Sequence, residues 1–424
     1  MKIVRLIVIL SLVPLVHADP LPFRQAIELA TKHSAIVSAT DQIRAHQAYL
    51  EAQRMYIPQM IVGSGLAKAF GFPLTIEGSA PSIVNVNAMS YLINPGQRET
   101  VRAAHLQWNA TAYSREDRRQ QAILDTAVTY TQLDRLITAL HLVQQQEQEA
   151  IGAEQITQER VRAGVEPALE LTRARLATAR VRMLIAQVEG NIDNLRNVLG
   201  QLTGLPPADI ETVTESVPQL PEINQGEDMA SKAAAVNPAV KLAFAQADAK
   251  QLLARGEHKR LLPAVDLVGQ YGLFAKSNYT EFFTKFQRNN GIIGVAIRFP
   301  FFNRSQQARA AGADAEAVQA RQQAQETKNK VSNETRKLQH DVAQLAAARE
   351  VARLEYQLAR ADVDTVQTKV QAGTATLRDE ANARLAEGQK YSAYLDASYQ
   401  LEQTQMELLR STGDLEKWAL SQPK

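Results

Sequence analysis

The sequence predicts a mostly α-helical chain with a small β portion, organised as two copies of one long helical hairpin, each preceded by a pair of strands. Three observations carry this. An offset of 209 residues lays Gly164 on Gly373, Val161 on Val370, Ala163 on Ala372 and the run Ala174 to Ala177 on Ala383 to Ala386, then Leu199 on Leu408, Thr203 on Thr412 and Gly204 on Gly413 without a gap. No proline interrupts the chain between Pro95 and Pro167 or between Pro300 and Pro423, so both stretches tolerate very long helices. Between the helical stretches lie two windows with a period of two and a concentration of phenylalanine.

The chain opens with Lys2 and Arg5, an apolar run from Leu6 to Val16, and Val16-His17-Ala18 before Asp19. This pattern predicts a secretory signal over 1–18, cleaved after Ala18, because the apolar run is far shorter than the roughly 20 residues that span a bilayer. A first repeat then occupies 19–204, a proline-rich connector with Pro206, Pro207, Pro218 and Pro221 covers 205–228, and a second repeat fills 229–424. Helices at about 22–56 and 229–261 open the two repeats.

Within the first proline-free stretch Ile123, Ala127, Tyr130, Leu133, Leu136, Leu140 and Val143 recur at steps of three or four. In the second, Leu338, Val342, Leu345 and then Val351, Leu354, Leu358 and Ala361 do the same. Both read as coiled-coil seams, with alanine permitting close approach. A helix of roughly 65 residues would be about 100 Å long, which no globular core requires. Each ends before a glycine, Gly164 or Gly373, suited to a left-handed cap, and helical pattern resumes near Leu169 and Leu377.

The two remaining windows, 58–94 and 263–303, hold Phe70, Phe72, Phe274, Phe282, Phe283, Phe286, Phe299, Phe301 and Phe302. Ile293, Val295, Ile297 and Phe299 alternate with Gly294, Ala296 and Arg298; Val265, Leu267, Gly269, Tyr271 and Leu273 share one face; Val84, Val86, Ala88 and Leu92 alternate with Asn85, Asn87, Met89 and Tyr91. Each window has room for two strands of about ten residues, the length that crosses an outer membrane at a tilt. Four strands cannot close a barrel, and open edges in lipid leave costly unpaired backbone groups. Pooling strands in an oligomer solves this.

Other classes are disfavoured. A net charge of +2 lacks the basic face of a nucleic-acid binder. With no cysteine there is neither a disulfide nor a lipid-anchoring thiol. The seven histidines are scattered, and no phosphate loop or nucleophile elbow appears. The sequence therefore predicts no enzyme, metal or cofactor site.

In this order the motifs resemble the TolC-like outer membrane efflux proteins over essentially the whole mature length. The resemblance rests on the repeat, on Pro58 and Pro263 opening each strand pair, and on Arg298-Phe299-Pro300-Phe301-Phe302-Asn303 entering a long helix. It rests also on Val161 to Gly164 and Val370 to Gly373 followed by the Ala-Arg-Leu-Ala runs. The resemblance implies a homotrimer whose protomers each give four strands to a twelve-stranded outer-membrane β-barrel and their helices to a periplasmic α-barrel. It implies the exit duct of a tripartite efflux pump, with a periplasmic adaptor and an inner-membrane transporter as partners, or of a type I secretion system. Gly164, Gly373, Val161 and Val370 would then lie at turns that the adaptor meets. Asp379, with Glu170 as its counterpart, would line the narrow entrance, whereas Asn382, Val370 and Ala375 depart from the family's second acid and its aromatic and arginine latch. A plainer role for Glu166, Glu170, Asp379 and Glu380 is also open, since each sits in a first helical turn where a carboxylate complements the helix dipole. The rival to a pore is a periplasmic coiled-coil scaffold, for which the aromatic strand windows have no use.

Overall fold

The computed structural model describes residues 20–66, 82–224, 226–274 and 287–421. The signal segment and Phe70, Phe72, Phe282, Phe283 and Phe286 lie outside the described residues. In chain order the elements are α1 (Phe23–Arg54), β1 (Gln59–Gly65), β2 (Ser82–Ile93), α2 (Pro95–Arg162), α3 (Ala168–Thr203), α4 (Met229–Val236), α5 (Pro238–Lys259), β3 (Ala264–Phe274), β4 (Asn289–Arg298), α6 (Arg304–Gln371), α7 (Leu377–Thr412) and α8 (Leu415–Ala419).

The repeat is reproduced residue for residue. Helices α2 and α6 both have 68 residues, α3 and α7 both have 36, and every boundary of the second pair lies 209 residues beyond the first. Four glycines with positive φ follow the same offset: Gly164 at 73° and Gly373 at 71°, Gly204 and Gly413 at 79°. One feature departs from expectation. The helix expected at about 229–261 is broken between Val236 and Pro238, because Asn237 ends α4 and then caps α5, its Oδ1 accepting from the Ala239 N–H at 2.9 Å, with Pro238 at the first helical position.

Two compact units are assembled from interleaved segments. The first takes in the described residues of 1–35, 119–227 and 337–424; the second takes in those of 36–118 and 228–336. The first unit is held by a core of Phe23, Ile27, Ile123, Tyr130, Leu133, Leu199, Ile210, Met406, Leu415 and Trp418. Tyr130 and Trp418 both meet Phe23 edge-on, at ring separations of 5.3 and 5.6 Å. The Tyr130 hydroxyl is fully enclosed yet satisfied: it donates to the Leu21 carbonyl at 2.7 Å and accepts from the Val213 N–H at 2.7 Å. Trp418 Nε1–H donates to the Gln219 carbonyl at 3.1 Å. The first-half seam thus continues into a packed core. The second does not: Val342 is buried, but Val351, Leu354 and Leu358 are exposed in the single chain, Leu358 by 68%. Periodicity located that stripe correctly but could not tell whether its cover comes from the same chain.

In the second unit α2 and α5 approach closely at Gly96 and Gly256. A Cβ on Gly96 would fall 3.0 Å from the Gly256 carbonyl oxygen, and one on Gly256 would fall 3.2 Å from the Gly96 carbonyl oxygen. One turn further along each helix, Lys259 Nζ donates to Glu99 Oε1 at 2.6 Å, and Arg102 reaches the same oxygen at 2.9 Å. These two cations hold the enclosed Glu99 carboxyl below the usual carboxylate range. The contact fixes the helix ends from which β2 and β3 depart.

A two-faced sheet and two hairpin turns as candidate functional sites

The four strands form one antiparallel sheet in the order β1-β2-β3-β4. Residues opposite one another in register share a face, so the pairing sorts the strands without ambiguity. Met60 faces Ala88, which faces Gly269, which faces Ile293; Val62, Val86 and Tyr271 follow, as do the pairs Leu267 with Val295 and Val265 with Ile297. This face is apolar and uncovered, with Ile293 87% exposed. The other face is the more polar one, carrying Asn85, Asn87, Gln270, Asn290, Gly272 and Gly294, but Ile61, Met89, Val268 and Ile292 share it. The alternation read from sequence is therefore reproduced, with one correction: a register shift between Tyr91 and Ile93 makes Leu92 the extra residue and brings Ile93 opposite Val265. Among the described residues strands β1 and β4 each pair on one side only, leaving two open edges.

Among the described residues no helix is long and apolar enough to cross a membrane. The sheet, by contrast, has strands of 7, 12, 11 and 10 residues with one apolar face, which matches the pattern of a membrane barrel segment.

The hairpin turns are Schellman motifs. At the end of α2 the Gly164 N–H donates to the Val161 carbonyl at 3.0 Å and the Val165 N–H to the Arg160 carbonyl at 2.9 Å; at the end of α6 the Gly373 N–H donates to Val370 at 3.0 Å and Thr374 to Lys369 at 2.8 Å. Val161 and Val370 thus have a definite local part, since their carbonyls receive the turn glycines. The two returning helices begin differently. Thr376 caps α7 in a reciprocal capping box: its hydroxyl accepts from the Asp379 N–H at 3.2 Å, while Asp379 Oδ2 accepts from the Thr376 N–H at 3.0 Å. The Thr376 hydroxyl and N–H hold the Asp379 carboxyl below the ordinary carboxylate range. The cap's contribution is therefore complete above the unfolded value of about 3.9 and is lost as pH falls through the lower folded one. At the matching position α3 has Pro167, which gives no side-chain cap, and Glu170 pairs instead with Arg173 at 2.5 Å. Glu166 pairs with Arg160 at 3.2 Å. Among the described residues no hydrogen bond or ion pair joins Glu170 to Asp379. The Thr-x-x-Asp spacing of a capping box was visible in the sequence at Thr376, just before the helical pattern that resumes near Leu377.

The hairpins also differ where their helices meet. Arg182 of α3 pairs with Glu147 of α2 at 2.8 Å, whereas the equivalent positions of α7 and α6 hold Tyr391 against Tyr356 with rings 5.0 Å apart. Arg384 of α7 contacts both Glu380, one helical turn before it, at 3.1 Å and Glu149 of α2 at 3.4 Å, tying the second hairpin to the first.

The family model described as Outer membrane efflux protein matches residues 84–205 and 229–414. Among solved structures, the outer membrane protein VceC of Vibrio cholerae superposes with a TM-score of 0.74 at 18% identity, covering 92% of this chain and 96% of that one. The CmeC outer membrane channel of Campylobacter jejuni gives 0.76 at 17% identity, covering 93% and 86%. The open-state MtrE outer membrane channel of Neisseria gonorrhoeae gives 0.71 at 16% identity, covering 95% and 91%. No curated protein sequence is significantly similar to the chain.

Proposed function

The chain belongs to the outer membrane efflux protein family, and from that premise we propose that it is the outer-membrane exit duct of a tripartite efflux pump. In this reading three copies pool their four strands into a twelve-stranded barrel, and their helices form the periplasmic conduit. The single observation that carries it is the sheet: one bare apolar face, one more polar face that carries the strands' amides and their two charges, and two open edges, an arrangement that is costly in water and in lipid unless further strands close it. The exposed stripe of Val351, Leu354 and Leu358 suits a neighbouring copy's helix. An inner-membrane transporter would supply the driving energy and a periplasmic adaptor would dock at the turns around Gly164 and Gly373. Export of a protein by a type I system uses the same duct with a different transporter. The protein, mature from Asp19, should be extracted from outer membranes by detergent with the mass of three chains; a soluble monomer would reject the reading.

The turns make a separable prediction. A Cβ at Gly373 would meet no atom within 4 Å, so the chief obstacle to Gly373→Val is its φ of 71°. The cost of about 1–2 kcal/mol leaves the assembly intact. Crosslinking to the adaptor should weaken, and unchanged crosslinking would reduce the turn to a helix cap.

Asp379 has a second role in this reading, as one of three carboxylates at the periplasmic entrance. The capping box holds its charge in place, and three such charges in a constriction attract cations. Asp379→Asn should lower cation selectivity in planar bilayers. Thr376→Val removes the cap's hydroxyl and keeps the carboxylate, so it should destabilise the start of α7 while leaving selectivity unchanged. Equal reversal potentials for Asp379→Asn and wild type under a salt gradient would remove Asp379 from the entrance.

A further inference from the structure

Among all the residues of the four described strands only two carry formal charge, Asp266 on β3 and Arg298 at the end of β4. The register places both on the polar face: Asp266 lies opposite Tyr91 on one side and Ala296 on the other, and Arg298 lies opposite Ala264. They form an ion pair, with Arg298 Nε 2.7 Å from Asp266 Oδ2. The pair is lopsided. The Asp266 side chain is 2% exposed and its Oδ1 has no hydrogen-bond partner, whereas the Arg298 side chain is 58% exposed. An enclosed carboxylate next to a half-exposed guanidinium is a dipole whose positive end faces the open side.

The pair meets through the Nε edge of the guanidinium. Arg298 carries five N–H donors in a rigid plane, and the two Nη groups form the fork that suits carboxylate and phosphate oxygens. Asp266, by binding Nε, fixes the plane of that fork and removes the entropy a free arginine would lose on binding. Around Arg298 the same face offers the uncharged Ala264, Ala296 and Tyr91, and the amides of Asn85, Asn87, Gln270 and Asn290 lie further along the sheet, so no second carboxylate of the strands repels an anion there.

We propose that Arg298, oriented by the buried Asp266, is an anion-binding site on the polar face of the sheet, taking carboxylate or phosphate groups of solutes that pass along it. The inference rests on the reading of that face as the lumen of a conduit and adds to it a chemical class of ligand.

The test is equilibrium binding of inorganic pyrophosphate to the purified full-length protein in detergent, which does not require an open pore. The wild type should bind saturably. Arg298→Lys keeps the charge and the ion pair but loses the fork, and should weaken binding about tenfold. The double variant Asp266→Asn with Arg298→Gln removes both charges without stranding either and should abolish binding while keeping wild-type circular dichroism. Absence of saturable binding by the wild type, or equal binding by the double variant, would overturn the proposal. Planar-bilayer currents from the same preparations keep the two readings apart: currents without pyrophosphate binding sink the anion site alone, and binding without currents sinks the conduit while leaving the site.

Discussion

Tyr130→Ala should destabilise the first compact unit by about 3–5 kcal/mol. Two effects combine. Removing the ring leaves a void against Phe23, whose other edge-on partner is Trp418. Removing the hydroxyl leaves the Leu21 carbonyl and the Val213 N–H without their partner, and each such enclosed group costs about 1–3 kcal/mol. Tyr130→Phe separates them, losing the hydroxyl's part alone. Denaturant unfolding followed by the emission of Trp418, with Trp108 replaced by Phe, reports on this core directly. A midpoint within error of wild type for Tyr130→Ala would mean that the Phe23, Tyr130 and Trp418 packing is not what holds the unit.

Gly256→Val should cost about 1–3 kcal/mol through overpacking and, more tellingly, should disturb the sheet. The added atoms meet the Gly96 carbonyl oxygen at 3.2 Å and Glu99 Cβ at 3.4 Å, both on α2. Backbone cannot swing aside as a flexible side chain can, so α2 and α5 must separate. That separation lengthens the 2.6 Å contact between Lys259 and the enclosed Glu99. Since β2 runs into α2 and α5 runs into β3, the register between Tyr91 and Asp266 is the expected casualty. Hydrogen exchange of the β2 and β3 amides checks this: faster exchange in Gly256→Val supports the account, and unchanged protection contradicts it.

What could be read from the sequence was whatever is local or periodic. The 68-residue helices, the glycine turns and the two-residue alternation of the strands all follow from backbone rules acting over a few residues, and the repeat doubled the signal for each. The break at Asn237-Pro238 and the capping box of Thr376 with Asp379 were equally local, and their residues announce them. What could not be read depends on contacts between distant segments. Phe23, Tyr130 and Trp418 come from three parts of the chain, and Tyr130 in isolation looks like one more seam residue. Asp266 and Arg298 meet only once the register of β3 on β4 is known, since a shift of one residue would place them on opposite faces. The exposure of Val351, Leu354 and Leu358 was invisible for another reason: periodicity marks a face to be covered but says nothing of which chain covers it.

The central claim is that β1 of one copy pairs with β4 of another to close a barrel. The chain has no cysteine, so introduced thiols are unique probes. Cysteine at Ile61 on the free edge strand β1, combined in turn with cysteine at Asn290, Ile292, Gly294 or Ala296 on β4, places both thiols on the polar face. Oxidation of native outer membranes should yield, for at least one of these pairs, covalent dimers and trimers on a denaturing gel and nothing larger, because a closed ring of three has no further edge. Monomers at every pair, or a ladder extending beyond trimer, would contradict the account.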